Sequence, residues 1–187
     1  MTMNIPNKIT CFRIILVPFL AFCLLNINMK YSPIFSLFIF VLASISDFLD
    51  GYIARKYNMI TDLGIFLDPI ADKILVITTM ICMIPNEMCH PAVVIIVTAR
   101  EFIISSLRCL AASKSVVIAA GLSGKIKTAF QMFAVIGILC IYCVDSITGS
   151  SIPVHIISNV LMWLTTIPTI ISCIDYLVKN RRIFSAG

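Results

Sequence analysis

The chain has 187 residues, of which 60% are hydrophobic and 12% charged, with a formal net charge of +5. A mean hydropathy of +1.05 excludes a soluble domain of this size, so the positive charge points to membrane orientation and not to nucleic acid. The length allows about six spans of ~20 residues with nothing left for a soluble part, so the expected fold is an all-α integral membrane bundle of six transmembrane helices, one domain over residues 1–187.

The first apolar run, Ile9 to Ile27, is too long for a leader and lacks a small-residue cleavage site, so it is expected to remain as the first span. Asn7, Thr10 and Arg13 share one face at its start. They read either as a capped helix start with a snorkelling arginine or as one wall of a site. The second run, Pro33 to Ala54, is apolar until Ser46 and then delivers Asp47 and Asp50. A short polar linker, Lys56 to Thr61, leads to the third span, Leu63 to Ile84, with Thr61 or Asp62 as its cap and Pro69 in its early turns.

The fourth span, Pro91 to Ala112, carries Arg100, Glu101 and Arg108. An internal Arg/Glu ion pair that fixes packing is one reading. A cavity for an anionic substrate, faced by both arginines, is the other. The fifth, Gly124 to Val144, opens with GKIKTAFQ, whose Lys125 and Lys127 either mark the cytoplasmic end or serve a ligand together with Thr128 and Gln131. The sixth, Ile152 to Leu177, precedes a KNRR tail.

The cysteines lie mostly in apolar segments and act as small hydrophobes. The Cys140/Cys143 pair has no second pair or nearby histidine to complete a zinc site. His90 and His155 fall near the end opposite the acids. With six spans, Lys8, Arg13, Arg55, Lys56, Lys114, Lys125, Lys127, Lys179, Arg181 and Arg182 lie on one side and Lys30 alone on the other, which makes both termini cytoplasmic.

The chemistry concentrates in DFLDGYIARKYNMITDLGIFLDPIAD, Asp47 to Asp72. Asp47 and Asp50 are i, i+3, and Asp68 and Asp72 are i, i+4, so each pair occupies one helical face and the pairs can oppose each other. Isolated acids near helix ends are commonly solvated caps, but four at this spacing beside apolar runs need a cation. Hard oxygen ligands favour magnesium, calcium or manganese, and four carboxylates suffice for two divalent ions across a diphosphate. Gly51 and Gly64 permit close approach, and Arg55 suits a phosphate.

These residues resemble the CDP-alcohol phosphatidyltransferase family. Its signature, DxxDGxxAR, eight residues, then GxxxDxxxD, is matched without departure by Asp47, Asp50, Gly51, Ala54, Arg55, Gly64, Asp68 and Asp72. DPIADK, TAREFIISSLR and GKIKTAFQ are most similar to the bacterial phosphatidylglycerophosphate synthases within it. The resemblance implies transfer of a phosphatidyl group from CDP-diacylglycerol to glycerol 3-phosphate at the cytoplasmic face of the bacterial inner membrane, by a homodimer using two Mg2+ or Mn2+ ions.

It further implies Asp47, Asp50, Asp68 and Asp72 as metal ligands, with Asp72 also the catalytic base. Asn7, Thr10, Arg13, Asp47, Asp50, Gly51, Ala54, Arg55 and Gly64 would hold the CDP moiety, and Arg100, Arg108, Lys125, Lys127 and Thr128 the acceptor's phosphate. Other acceptors, namely phosphatidylglycerol, serine or an inositol phosphate, use the same chemistry. A cation carrier is the rival of a different class, disfavoured because the acids gather at one end of the spans.

Overall fold

The computed structural model describes residues 4–26, 29, 31–57, 61–113, 122–149 and 152–181, without the side chains of residues 55, 62, 63, 65 and 122. Among these residues there are six α-helices: α1 (Ile5–Leu25), α2 (Ser32–Lys56), α3 (Asp62–Cys82), α4 (Pro91–Ser113), α5 (Leu122–Thr148) and α6 (Val154–Lys179). Each expected apolar run is therefore a helix, displaced by a few residues at most. The Arg55 side chain, Lys30, Lys114 and Arg182 lie outside the described parts.

Local chemistry sets several boundaries. Thr61 caps α3, its hydroxyl accepting the Gly64 N–H at 3.1 Å. Gly149, at φ 61°, closes α5 by donating its N–H to the Asp145 carbonyl at 2.9 Å, a left-handed stop that suits glycine. Pro69 lies inside α3, which starts one residue before the expected Leu63 and continues through the proline.

The surface is inverted relative to a soluble protein. α6 buries Ser158, Thr165, Thr166, Thr169 and Ser172 while exposing Ile156, Val160, Ile167, Ile171 and Ile174. α1 buries Asn7, Thr10 and Arg13 and exposes Phe12, Ile15, Phe19 and Phe22. Small and polar residues inside with large apolar ones outside is the pattern of helices packed in lipid, where tails solvate Ile and Phe as well as a core would. α1, α5, α6 and the Ser32–Ala54 part of α2 are long and apolar enough to cross a membrane. This is a membrane protein. α3 and α4 carry more charge, and those charges build the site.

Contacts at both ends show that successive helices alternate in direction. At one end Asn7 of α1 bonds Thr61 before α3, and Ser123 of α5 bonds Asp175 of α6. At the other, Asn86 donates to the Leu24 carbonyl and the rings of His90 and Trp163 lie 5.8 Å apart. The second end holds most of the apolar core, including Leu20, Leu24, Phe40, Met80, Met83, Val93, Ile138, Leu139 and Met162. α1 packs closely on α2 and α3, and α6 on α4 and α5. The two groups join through α2 with α5 and, more loosely, α3 with α4.

Thr61 serves both the α3 cap and the α1 contact, so Thr61→Ala is expected to cost about 1–2 kcal/mol, with Thr61→Ser close to wild type. Unfolding in mixed detergent micelles measures this.

Candidate active site

The polar end is assembled from all six helices. α1 supplies Arg13, whose guanidinium is fully buried and pairs with two carboxylates of α2: Nη1 lies 2.6 Å from Asp47 Oδ1, and Nη2 binds Asp50 Oδ2. The i, i+3 spacing turns both acids toward α1. Arg13 is thus an internal counter-ion, and the snorkelling reading is overturned: a guanidinium sealed among helices needs paired carboxylates and cannot rely on water.

One turn earlier, Thr10 Oγ1 lies 3.1 Å from Asp50 Oδ2 and 2.8 Å from Asp68 Oδ1. This brings one acid of α2 against one of α3, as the two pairings anticipate. A hydroxyl has a single proton and can donate to only one carboxylate at a time, so positive charge must come from elsewhere. For Asp50 it comes from Arg13. Another turn back, Asn7 exchanges hydrogen bonds of 2.9 and 3.1 Å with Thr61. A Cβ on Gly64 would stand 2.9 Å from Asn7 Oδ1, so the glycine admits α1 to the start of α3.

Asp72, one turn beyond Asp68, lines a narrow cleft of about 20 Å³ with Lys73, Val76, Ile77, Val97, Glu101, Lys127, Thr128 and Gln131. Here α3 meets α4 and α5. Lys127 is buried, and its Nζ lies 2.8 Å from Glu101 Oε1. The same oxygen accepts from Arg100 Nη1 at 2.9 Å. Arg100 Nη2 continues to Ser172 Oγ of α6 at 2.7 Å. Lys73 donates to Ser105, tying α3 to α4.

The expected residues thus fall into groups. Asn7, Thr10, Arg13, Asp47, Asp50, Gly64 and Asp68 come together where α1, α2 and α3 meet. Asp72 joins Lys127 and Thr128 in the cleft, with Arg100 behind Glu101. Gly51 and Ala54 lie half-buried near the end of α2. Arg108 is exposed and turned to α6, its Nε donating to the Tyr176 hydroxyl at 3.3 Å. Lys125 is exposed, two residues from Lys127 and so on another side of α5. Sequence reasoning missed Glu101 as a shared acceptor and did not use Lys73, Ser105 or Ser172. Spacing within one helix gives no signal for partners on another.

The donor chemistry of Asp47, Asp50, Asp68 and Asp72 fits hard divalent cations. As the side chains stand, no three such groups among the described residues converge on one point that could hold an ion, while Arg13 engages both α2 acids.

Residues 3–171 match the family model described as CDP-alcohol phosphatidyltransferase. The chain belongs to this family. Its similarity to curated phosphatidyltransferases extends over nearly the whole length. A relative from Rickettsia felis is 35% identical over 181 residues, covering 97% of each chain. One from Bacillus subtilis is 33% identical over 192 residues, covering 95% of each, and one from Haemophilus influenzae is 36% identical, covering 95% of this chain and 93% of the relative. All three are named CDP-diacylglycerol–glycerol-3-phosphate 3-phosphatidyltransferase. The stretch from Asp47 to Asp72 lies within the matched residues, and its carboxylates meet Arg13, Thr10 and the α3/α4/α5 cleft.

Because Thr10 is the one described side chain hydrogen-bonded to acids of both α2 and α3, Thr10→Val should lower stability by about 1–3 kcal/mol, and Thr10→Ser should restore it. Thermal unfolding of the purified protein reads both.

Proposed function

We propose that this chain transfers the phosphatidyl group of CDP-diacylglycerol to glycerol 3-phosphate, releasing CMP and forming phosphatidylglycerol phosphate. The observation that carries the reading is the cleft in which Asp72, last of the signature acids, faces Lys127 and Thr128 across the α3/α5 boundary. A carboxylate beside a cationic anion site is what an acceptor carrying both a hydroxyl and a phosphate requires. Relatives matched end to end carry the same activity in their names.

In the proposed reaction the acceptor hydroxyl oxygen forms a bond to the phosphorus bearing the diacylglycerol. The bond from that phosphorus to the bridging oxygen breaks, and its electron pair leaves with CMP. Asp72 accepts the hydroxyl proton. Asn7, Thr10, Arg13, Gly51, Ala54, Arg55 and Gly64 lie on the side we assign to the CDP moiety. Arg100 and Lys127 are the acceptor's principal cations, with Thr128 beside them and Arg108 and Lys125 toward the rim.

Asp47, Asp50, Asp68 and Asp72 would hold two Mg2+ or Mn2+ ions, whose chemistry is to neutralise the diphosphate and polarise its phosphorus. To take part, Asp47 and Asp50 must turn from Arg13, whose guanidinium is then available to the nucleotide phosphates. In this reading all six helices span a bacterial cytoplasmic membrane with both termini and the polar end toward the cytoplasm, supported by the excess of Lys and Arg at that end. A homodimer is the proposed assembly, on family resemblance. The location suits the substrates, since one keeps its acyl chains in lipid and the other arrives from water.

An acceptor screen scored by CMP release in Mg2+ tests the proposal. Glycerol 3-phosphate should support turnover, while phosphatidylglycerol, serine and inositol phosphate should not, and chelation should stop the reaction. Asp72→Asn should reduce kcat by about 10²-fold or more while the protein remains folded. CMP release with another acceptor but not with glycerol 3-phosphate would contradict it.

A further inference from the structure

Glu101 lies within the cationic half of the site, yet the proposed reaction gives it no part. One of its oxygens, Oε1, accepts from both Lys127 Nζ at 2.8 Å and Arg100 Nη1 at 2.9 Å, so a single anionic oxygen bridges the two cations. The residue lines the Asp72 cleft and is not sealed behind it. Arg100 also has donor capacity to spare, because its Nε is buried with no hydrogen-bond partner among the described residues.

The cleft's charges nearly cancel. Asp72 and Glu101 oppose Lys73 and Lys127, and Arg100 behind them leaves a small positive excess. A phosphate monoester carries about −1.5 to −2 charges at neutral pH and needs several donors. The cleft is narrow, about 20 Å³, and the donors of Lys127 and Arg100 are engaged by one oxygen of Glu101, so a phosphate that binds both cations must displace that carboxylate. Glu101 is the group whose departure frees two cationic donors at once and removes a negative charge from the ligand's path.

We propose that Glu101 is a specificity-determining counter-ion: its carboxylate holds the place between Arg100 and Lys127 that an oxygen of the acceptor's phosphate takes, and only an anion strong enough to displace it gains entry. The inference rests on the acceptor assignment above and deepens it. A phosphate monoester, with its greater charge and three oxygens, competes with Glu101. A phosphodiester or a lone carboxylate, with one charge, offers the two cations no more than Glu101 already does. Glu101 is thus set against weaker anions at some cost in affinity for the right one.

Glu101→Gln isolates the charge, because the amide oxygen still accepts from Arg100 and Lys127 while the negative charge is gone. The purified full-length protein in micelles is titrated calorimetrically with inorganic phosphate, and KM is measured for glycerol 3-phosphate and for the CDP-lipid. The variant should bind inorganic phosphate about tenfold more tightly and show a lower KM for glycerol 3-phosphate, with the CDP-lipid KM unchanged. Adding Lys127→Met should abolish the gain. Glu101→Asp, which retracts the carboxylate by one methylene and keeps the charge for packing, should give a smaller gain and serves if the glutamine variant does not fold.

Phosphate affinity unchanged or weakened in the folded variants would overturn the proposal and make Glu101 a packing ion pair. Tighter phosphate binding in a protein that releases no CMP with any acceptor would uphold the anion site while the transferase reading failed.

Discussion

Arg13 is out of contact with solvent, and its guanidinium is held by the paired carboxylates of Asp47 and Asp50. Removing the charges of Arg13 and Asp50 from water is costly unless they neutralise each other at close range, and Asp47, still partly exposed, adds a second counter-charge. That requirement fixes the rotation of α1 against α2, because both acids must face the arginine. The same rotation places Thr10 between Asp50 and Asp68 and Asn7 on Thr61, so α3 is seated through α1. The geometry of the acidic half follows from satisfying one buried cation.

The second half repeats the arrangement with the signs exchanged. Glu101 is the shared anion, Arg100 and Lys127 are its cations, and Ser172 carries the network to α6. The halves meet where Asp72 shares a cleft with Lys127. A transferase joining two anionic substrates needs cationic surface for both, yet cannot leave uncompensated positive charge within an apolar bundle. Internal carboxylates resolve the conflict by pairing with those cations. The opposite end, filled by Leu, Val, Met and Phe side chains, carries the apolar packing.

Much of this was legible in the sequence. Hydropathy located the helices, and i, i+3 and i, i+4 spacing correctly put Asp50 and Asp68 on facing surfaces. Arg13 shares one face with Asn7 and Thr10, but its partners lie on α2, and spacing within α1 carries no information about them. Glu101 was visible as one member of an Arg/Glu pair. Its link to Lys127 depends on how α4 packs beside α5, which no periodicity encodes. Lys125 and Lys127 read as a unit because both are positive at a helix start, yet the helical turn sends them to different sides and only Lys127 is buried. The charge of α3 and α4, which makes them poor spans by composition, is the material of the site.

Arg13 and Asp50 neutralise each other across the α1/α2 interface, and a double-mutant cycle tests that directly. Unfolding free energies would be measured for wild type, Arg13→Met, Asp50→Asn and the double variant in detergent micelles with chelator present. Arg13→Met should cost about 3–5 kcal/mol by stranding the buried Asp50 carboxylate, Asp50→Asn should cost less because Asp47 still pairs with Arg13, and the double variant should be more stable than the sum predicts by about 1–3 kcal/mol. Effects that add to within about 0.5 kcal/mol would show that the two charges do not depend on each other, and would contradict the account.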